Sequence, residues 1–154
     1  MRVGIFSTYD NSGAGEAACK INDAFLKNGI KSKLFVAIKK NKKSQTLKKN
    51  FSFKLLFYLR FYLNKFVAYL FCYNKSKKGF LSLDLFQTNN SQKINKMNID
   101  IVQLNWINNF ISISDISKIN KPIVWRLSDM WPFIGVEHFT DNKKWKKKKI
   151  KRHK

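Results

Sequence analysis

Residues 3–38 constrain the fold more than any other part of this chain. Val3-Gly4-Ile5-Phe6-Ser7 is a short apolar run of the kind that forms a buried strand. A polar loop, Thr8-Tyr9-Asp10-Asn11-Ser12-Gly13-Ala14-Gly15, follows it. Glu16–Lys27 then places Ala17, Cys19, Ile21, Ala24, Phe25 and Leu26 at helical spacing, and Asn28-Gly29 is a fitting helix stop. Ser12 or Asn11 suits the helix N-cap, and Glu16 suits its first turn. Lys33–Ile38 reads as a second strand. A strand, a helix and a second strand in this order make a βαβ unit with parallel strands and a right-handed crossover.

The remainder continues the pattern. Lys39–Asn50 is a polar Lys/Asn linker, and Phe51–Tyr73 is a long helix candidate with ten aromatic residues. Leu81–Phe86 alternates as a half-buried strand does, with an irregular loop as the other reading. Ser91–Met97 is a short helix, and Ile101–Leu104 is a strand ending in Asn105 and Trp106. Asn108-Asn109 turns the chain into a helix over Phe110–Asn120, capped by Ser114 with Asp115 in its first turn. Lys121-Pro122 ends that helix, and Ile123-Val124-Trp125 with Leu127 forms a buried strand. The prediction is an α/β fold: a Rossmann-like parallel sheet with helices on both faces.

In open α/β sheets, ligands bind beyond the carboxyl ends of the strands. The last strand leads there into Ser128, Asp129, Met130 and Trp131. Pro132 forces a turn, Gly135 allows a second bend, and Glu137-His138 follow. Gly13 and Gly15 sit between the first strand and its helix, where small residues let a ligand approach free N–H groups. They do not complete a GxGxxG pattern, because Ala18 takes the last place, so a tight strand-to-helix turn is an equal reading.

Charge and cysteine content narrow the classes. The net charge is +22, and it falls to +13 without the nine Lys and Arg of residues 143–154. No acidic residue lies between Asp23 and Asp84. A nucleic-acid-binding module is therefore an alternative, although no RNA-binding motif accompanies the charge. Cys19 and Cys72 form no disulfide framework or metal motif. The histidines His138 and His153 are too few for a metal site, so none is expected. No secretory leader is visible, and Phe51–Tyr73 is interrupted by Lys54, Arg60, Asn64 and Lys65, which argues against a membrane span. The expected location is the cytoplasm. Residues 51–73 read either as a helix packed on the sheet with a solvated basic edge, or as a surface that touches anionic lipid at the inner face of the membrane.

Three segments together carry a resemblance. Tyr9-Asp10 with Ser12-Gly13-Ala14-Gly15 and Ala17-Ala18, then Asp100-Ile101-Val102-Gln103-Leu104-Asn105-Trp106, then Lys121 to Phe133 (KPIVWRLSDMWPF) resemble the amino-terminal half of a glycosyltransferase of the GT-B fold. The group most similar is the family-four retaining enzymes of bacterial polysaccharide biosynthesis, and the likeness runs from Met1 to about Trp145. The resemblance implies an acceptor-side Rossmann-like domain over residues 1–142 and a disordered Lys-rich tail over 143–154. It implies a truncated or split transferase, inactive alone. Its nucleotide-sugar donor would need the missing carboxyl-terminal half, and this half would bind no cofactor. The implied partners are that missing half and a lipid-linked or saccharide acceptor, with nucleic acid disfavoured. The Lys-rich ending is better explained by a truncated or frameshifted gene than by a dedicated basic arm.

The residues that the resemblance and the loop chemistry place at the substrate are Ser12, Gly13, Gly15, Asn105, Trp106, Ser128, Asp129, Trp131, Glu137 and His138. Asn105-Trp106 stands where the family often has His-Trp, and Ser128 where many members have His. Both departures remove an imidazole, so no catalytic residue is assigned. Asp129 and Glu137 would accept from sugar hydroxyls, and Trp131 would stack on a sugar or pack internally.

Overall fold

The structure, a computed structural model, describes residues 1–47, 51–72, 82–134 and 138. The Lys-rich segment 143–154, Gly135 and Glu137 lie outside the described residues. Five strands form one all-parallel sheet: β1 (Arg2–Tyr9), β2 (Lys31–Ile38), β3 (Gln45–Thr46), β4 (Ile101–Leu104) and β5 (Ile123–Trp125). Their spatial order is β3-β2-β1-β4-β5, so the winding direction reverses between β1 and β4. This is the α/β, Rossmann-like arrangement that the sequence predicts.

β1 is the central strand, with Phe6 in register with both Phe35 of β2 and Leu104 of β4. Residues 3–8 are all buried, as expected of a strand covered on both faces. Alternate side chains feed two cores. Val3, Ile5, Leu34 and Val36 pack with Ala18 of α1 (Gly13–Lys27) on one face. Phe6, Phe35, Val102 and Leu104 pack on the other with Phe57 of α2 (Phe51–Cys72) and with Ile94 of α3 (Ser91–Lys96). The rings of Phe6 and Phe35 stack there at 5.3 Å.

α1 is held at both ends by its own sequence. Ser12 is extended, and its Oγ accepts from Gly15 N at 3.3 Å, so the helix begins three residues earlier than the apolar spacing implies. At the other end Gly29 takes φ +73°, while Gly29 N and Ile30 N donate to Leu26 O and Phe25 O. That pair of hydrogen bonds is the Schellman stop, and glycine fits it because only a residue without Cβ adopts the left-handed conformation at no cost.

Several expectations need correction. The Lys39–Asn50 linker contains the two-residue edge strand β3, paired with Phe35 and Val36. Residues 82–86 are irregular, the other reading of that segment, and burial does not follow the alternation: Ser82 is buried and Leu85 exposed. The helix expected over Phe110–Asn120 shrinks to α4 (Ile113–Ile116). Its cap is Ser112, which accepts from Asp115 N in a capping box, and not Ser114. β5 is an edge strand with Val124 55% exposed, so it is not the fully buried strand its composition suggested. A one-turn helix α5 (Trp131–Ile134) follows it, begun where Pro132 fits the first helical turn.

The largest departure is α2. Its inner face carries Phe53, Phe57, Asn64 and Ala68, with Arg60 half-buried among them. Asn64 donates to Asn109 Oδ1 at 2.5 Å, which ties the helix to the turn after β4. Of the polar residues, Asn64 and Arg60 therefore turn toward the protein beside Phe53, Phe57 and Ala68, Lys54 and Lys65 stay exposed, and most of the Leu and Tyr side chains face outward.

Candidate functional site

The carboxyl edge at the β1/β4 boundary is built by backbone bonds that run beyond the regular ladder. Asn105 N donates to Phe6 O at 2.9 Å and Thr8 N to Trp106 O at 2.7 Å. The Thr8 hydroxyl donates to Asn108 O at 2.8 Å. The loops after the two strands are thereby fused, and Tyr9 and Trp106 stack across them at 5.9 Å with 24° between planes. Burial pushes the Tyr9 phenol pKa up, with nearby Tyr58 adding to it. Trp125 from β5 closes the far side, its indole N–H donating to Asn105 O at 3.2 Å.

Ser7 and Asn105 follow the paired residues Phe6 and Leu104, so their side chains share the sheet face that α1 covers. Both are buried, at 0% and 2% exposure. The Ser7 hydroxyl and both polar atoms of the Asn105 amide have no hydrogen-bond partner. A buried polar atom left unpaired costs about 1–3 kcal/mol, so such a set is retained against its own cost.

The glycine loop borders the same edge. A Cβ on Gly15 would lie 2.4 Å from Tyr9 O, so this residue is fixed by the close approach of α1 to the end of β1. A Cβ on Gly13 would meet nothing, and Gly13 is exposed. Asp10 is buried and directs its carboxylate away, accepting from Lys40 N at 2.9 Å, Asn41 N at 2.8 Å and Ser44 Oγ at 2.5 Å. Burial raises its pKa, but these donors outweigh the burial and hold the carboxyl below its ordinary value. Asp10 thus shapes the β2–β3 loop.

The loop after β5 divides into an outer and an inner part. Ser128 is exposed. Asp129 accepts from Trp131 N at 3.2 Å and meets His138 Nδ1 at 2.5 Å. A carboxylate only accepts, so Nδ1 carries the hydrogen and Nε2 faces the Ser82 hydroxyl at 2.8 Å. Trp131 is 6% exposed, stacks on the His138 ring and donates its indole N–H to Ser82 O at 3.1 Å. Serine, histidine and aspartate are in the order of a nucleophilic triad, yet Ser82 and His138 are 6% and 4% exposed. The crevice between Trp106 and the Ser128–Pro132 loop encloses only about 10 Å³, room for about one water. The arrangement is a clamp that fixes the loop on residue 82.

Of the predicted site residues, Ser12, Gly13, Trp106 and Ser128 border the accessible carboxyl edge, and the Asn105 amide is buried beneath it. Gly15, Asp129, Trp131 and His138 support it from within. Sequence reasoning missed Ser7, which reads only as the end of an apolar strand, and Ser82, which lies 56 residues from its imidazole partner. Among the described residues no group of three or more His, Cys, Asp or Glu is placed to hold a metal ion.

Fold and edge together define an all-parallel, Rossmann-like α/β domain whose polar side chains gather at the strand-order reversal. The chain matches no known family model, no curated protein and no solved structure.

Proposed function

We propose that this chain forms the acceptor-side domain of a sugar transferase of the GT-B kind. Its carboxyl edge at β1 and β4 receives a saccharide-bearing acceptor, and the nucleotide-sugar donor is bound by a second domain. The observation that carries this reading is the Asn105 amide, buried beside Trp106 with both polar atoms unpartnered. A sugar offers hydroxyls that donate and accept together and a C–H face that lies against an aromatic ring. An amide next to an indole matches both. The glycine loop supports the reading, because exposed Gly13 opens backbone N–H groups at the start of α1 to the same edge.

The test is saturation-transfer NMR on the whole chain with glucose, galactose, N-acetylglucosamine, N-acetylgalactosamine and rhamnose. At least one should give a saturable signal, with a Kd near the millimolar range, about 4 kcal/mol of binding. Asn105→Leu and Trp106→Ala should each abolish it. A complete absence of signal, or variants that bind as the parent does, overturns the proposal.

A further inference from the structure

Among its described side chains, α2 presents ten large apolar ones to solvent, from Phe51 at 81% exposure to Leu63 at 40%. At 3.6 residues per turn they occupy roughly 160° of the helix circumference, and no charged residue falls among them. Leu55, Leu59, Leu63, Phe66 and Leu70 form the middle of this face. Tyr58, Tyr62 and Tyr69 lie along one border, and exposed Lys54 and Lys65 lie just beyond them. A contiguous apolar face of this size on a helix surface marks an interaction site.

The cation side of the same border is not a smooth edge. A cavity of about 750 Å³ opens between the β2–β3 loop and the first turns of α2. It is lined by Lys39, Lys40, Lys42 and Lys54, with Gln45 and Tyr58. Tyr58 belongs both to this cavity and to the outward face of α2, so the lysine cleft and the apolar face are continuous. Asp10 holds the cleft open from behind by binding Lys40 N, Asn41 N and Ser44 Oγ.

We propose that this continuous surface docks on an anionic lipid bilayer. α2 lies in the interface plane with its Leu and Phe strip among the acyl chains and its tyrosines at head-group level, and the lysine cleft receives head-group phosphates. The gradation from Leu and Phe through Tyr to Lys around one helix is what an interfacial helix requires. Charge decides the occupant. A second copy of this chain would bring lysine cleft against lysine cleft, whereas an anionic surface complements it, and no acidic residue is among those that line the cleft. No described helix is long and apolar enough to cross a membrane, so α2 lies on the bilayer and does not span it. The surface is separate from Asn105 and Trp106, so vesicle docking and saccharide binding fail independently.

The experiment is co-sedimentation of the whole chain with vesicles of phosphatidylcholine alone and of phosphatidylcholine with a third phosphatidylglycerol. The parent should partition at least about tenfold better onto the anionic vesicles, and the preference should shrink as salt is raised. Leu59→Glu/Phe66→Glu changes two exposed positions and keeps every lysine, including those of residues 143–154. It should lose at least about tenfold in partitioning, with an unchanged far-ultraviolet circular dichroism spectrum and melting temperature. Lys39→Glu/Lys42→Glu should keep the residual binding to neutral vesicles and lose the anionic preference. Three results overturn the proposal: no sedimentation of the parent, a Leu59→Glu/Phe66→Glu variant that sediments as the parent does, or a stable dimer dissolved by that variant with no vesicle binding.

Discussion

Gly13 and Gly15 stand two residues apart in one loop under opposite steric conditions. A side chain on Gly15 would collide with the backbone of Tyr9 and Asp10, at 2.4 and 2.9 Å. Gly15→Ala should therefore cost about 1–3 kcal/mol, read as a lower urea midpoint at unchanged slope. Gly13→Ala meets open space at the first helical position and should be neutral or stabilising by up to about 1 kcal/mol. If a saccharide approaches there, Gly13→Ala weakens its NMR signal while stability holds, and an unaltered signal removes Gly13 from the site. Asn105→Leu separates the same two quantities. Removing two unpaired buried polar atoms should leave stability unchanged or raise it by about 1–2 kcal/mol, even as saccharide binding is lost. The Ser12 cap and the Asn28-Gly29 stop were legible in sequence because both are local bonds. The cap of α4 was misassigned by two residues, because Asp115 is placed by distant Thr88 and Ser91 together with Ser112, and only Ser112 of the local serines caps the helix.

At the scale of elements, α2 shows where periodicity misleads. Its sequence has a wide apolar arc and a narrower polar one, and burial of the apolar arc is the ordinary outcome. The structure buries only part of the apolar arc, Phe53, Phe57 and Ala68, and leaves the rest in solvent, because Asn64 finds Asn109 and Arg60 sits half-buried in the field of Asp115. Burial lowers the Arg60 pKa, and attraction to Asp115 partly restores it. Phe57, Asn64 and Ala68 are the only fully buried side chains described on α2, so its own packing holds it weakly. Its amides should exchange with deuterium well before those of β1 and β4 in solution, and should gain protection on anionic vesicles. Exchange as slow as that of β1 without lipid would show that the helix is anchored by more than these contacts. β5 errs in the same sense: Ile-Val-Trp is a core-like composition, yet Val124 faces outward at the sheet edge.

The whole molecule is cross-braced by a buried polar network that no local pattern announces. Asp115 is fully buried and accepts from the Thr88 hydroxyl, from Ser91 N at 3.1 Å and Oγ at 2.8 Å, and from Ser112 Oγ at 2.8 Å. Burial raises its pKa, but these donors prevail and hold the carboxyl far below the ordinary carboxylate range. A depressed folded pKa means that the unfolded chain takes up the proton first. The stabilisation is complete above the unfolded value near pH 4 and is lost as pH falls below it. Asp10 contributes with the same sign. Urea unfolding should show a marked loss of stability between pH 5 and pH 3. Asp115→Asn should lose about 2–4 kcal/mol at pH 7 and flatten that acid limb. A variant with the parental acid limb would show that the network does not set it.

The amino-acid sequence alone determined the elements whose causes lie within a few residues and the order in which they alternate. A buried strand, a capped helix and a second strand over residues 2–38 permit only a parallel α/β sheet, and the sheet has that form. The sequence also marked Asn105, Trp106 and Ser128, because residues that leave a buried strand reach its carboxyl edge. Tertiary structure decided which of them remain accessible. Ser128 stays outside, whereas Asp129, Trp131 and His138 turn inward to Ser82 through contacts spanning 9 to 56 residues. It also decided that α2 shows its apolar side to solvent, since helix orientation depends on which face finds partners, and those partners lie 45 residues away at Asn109.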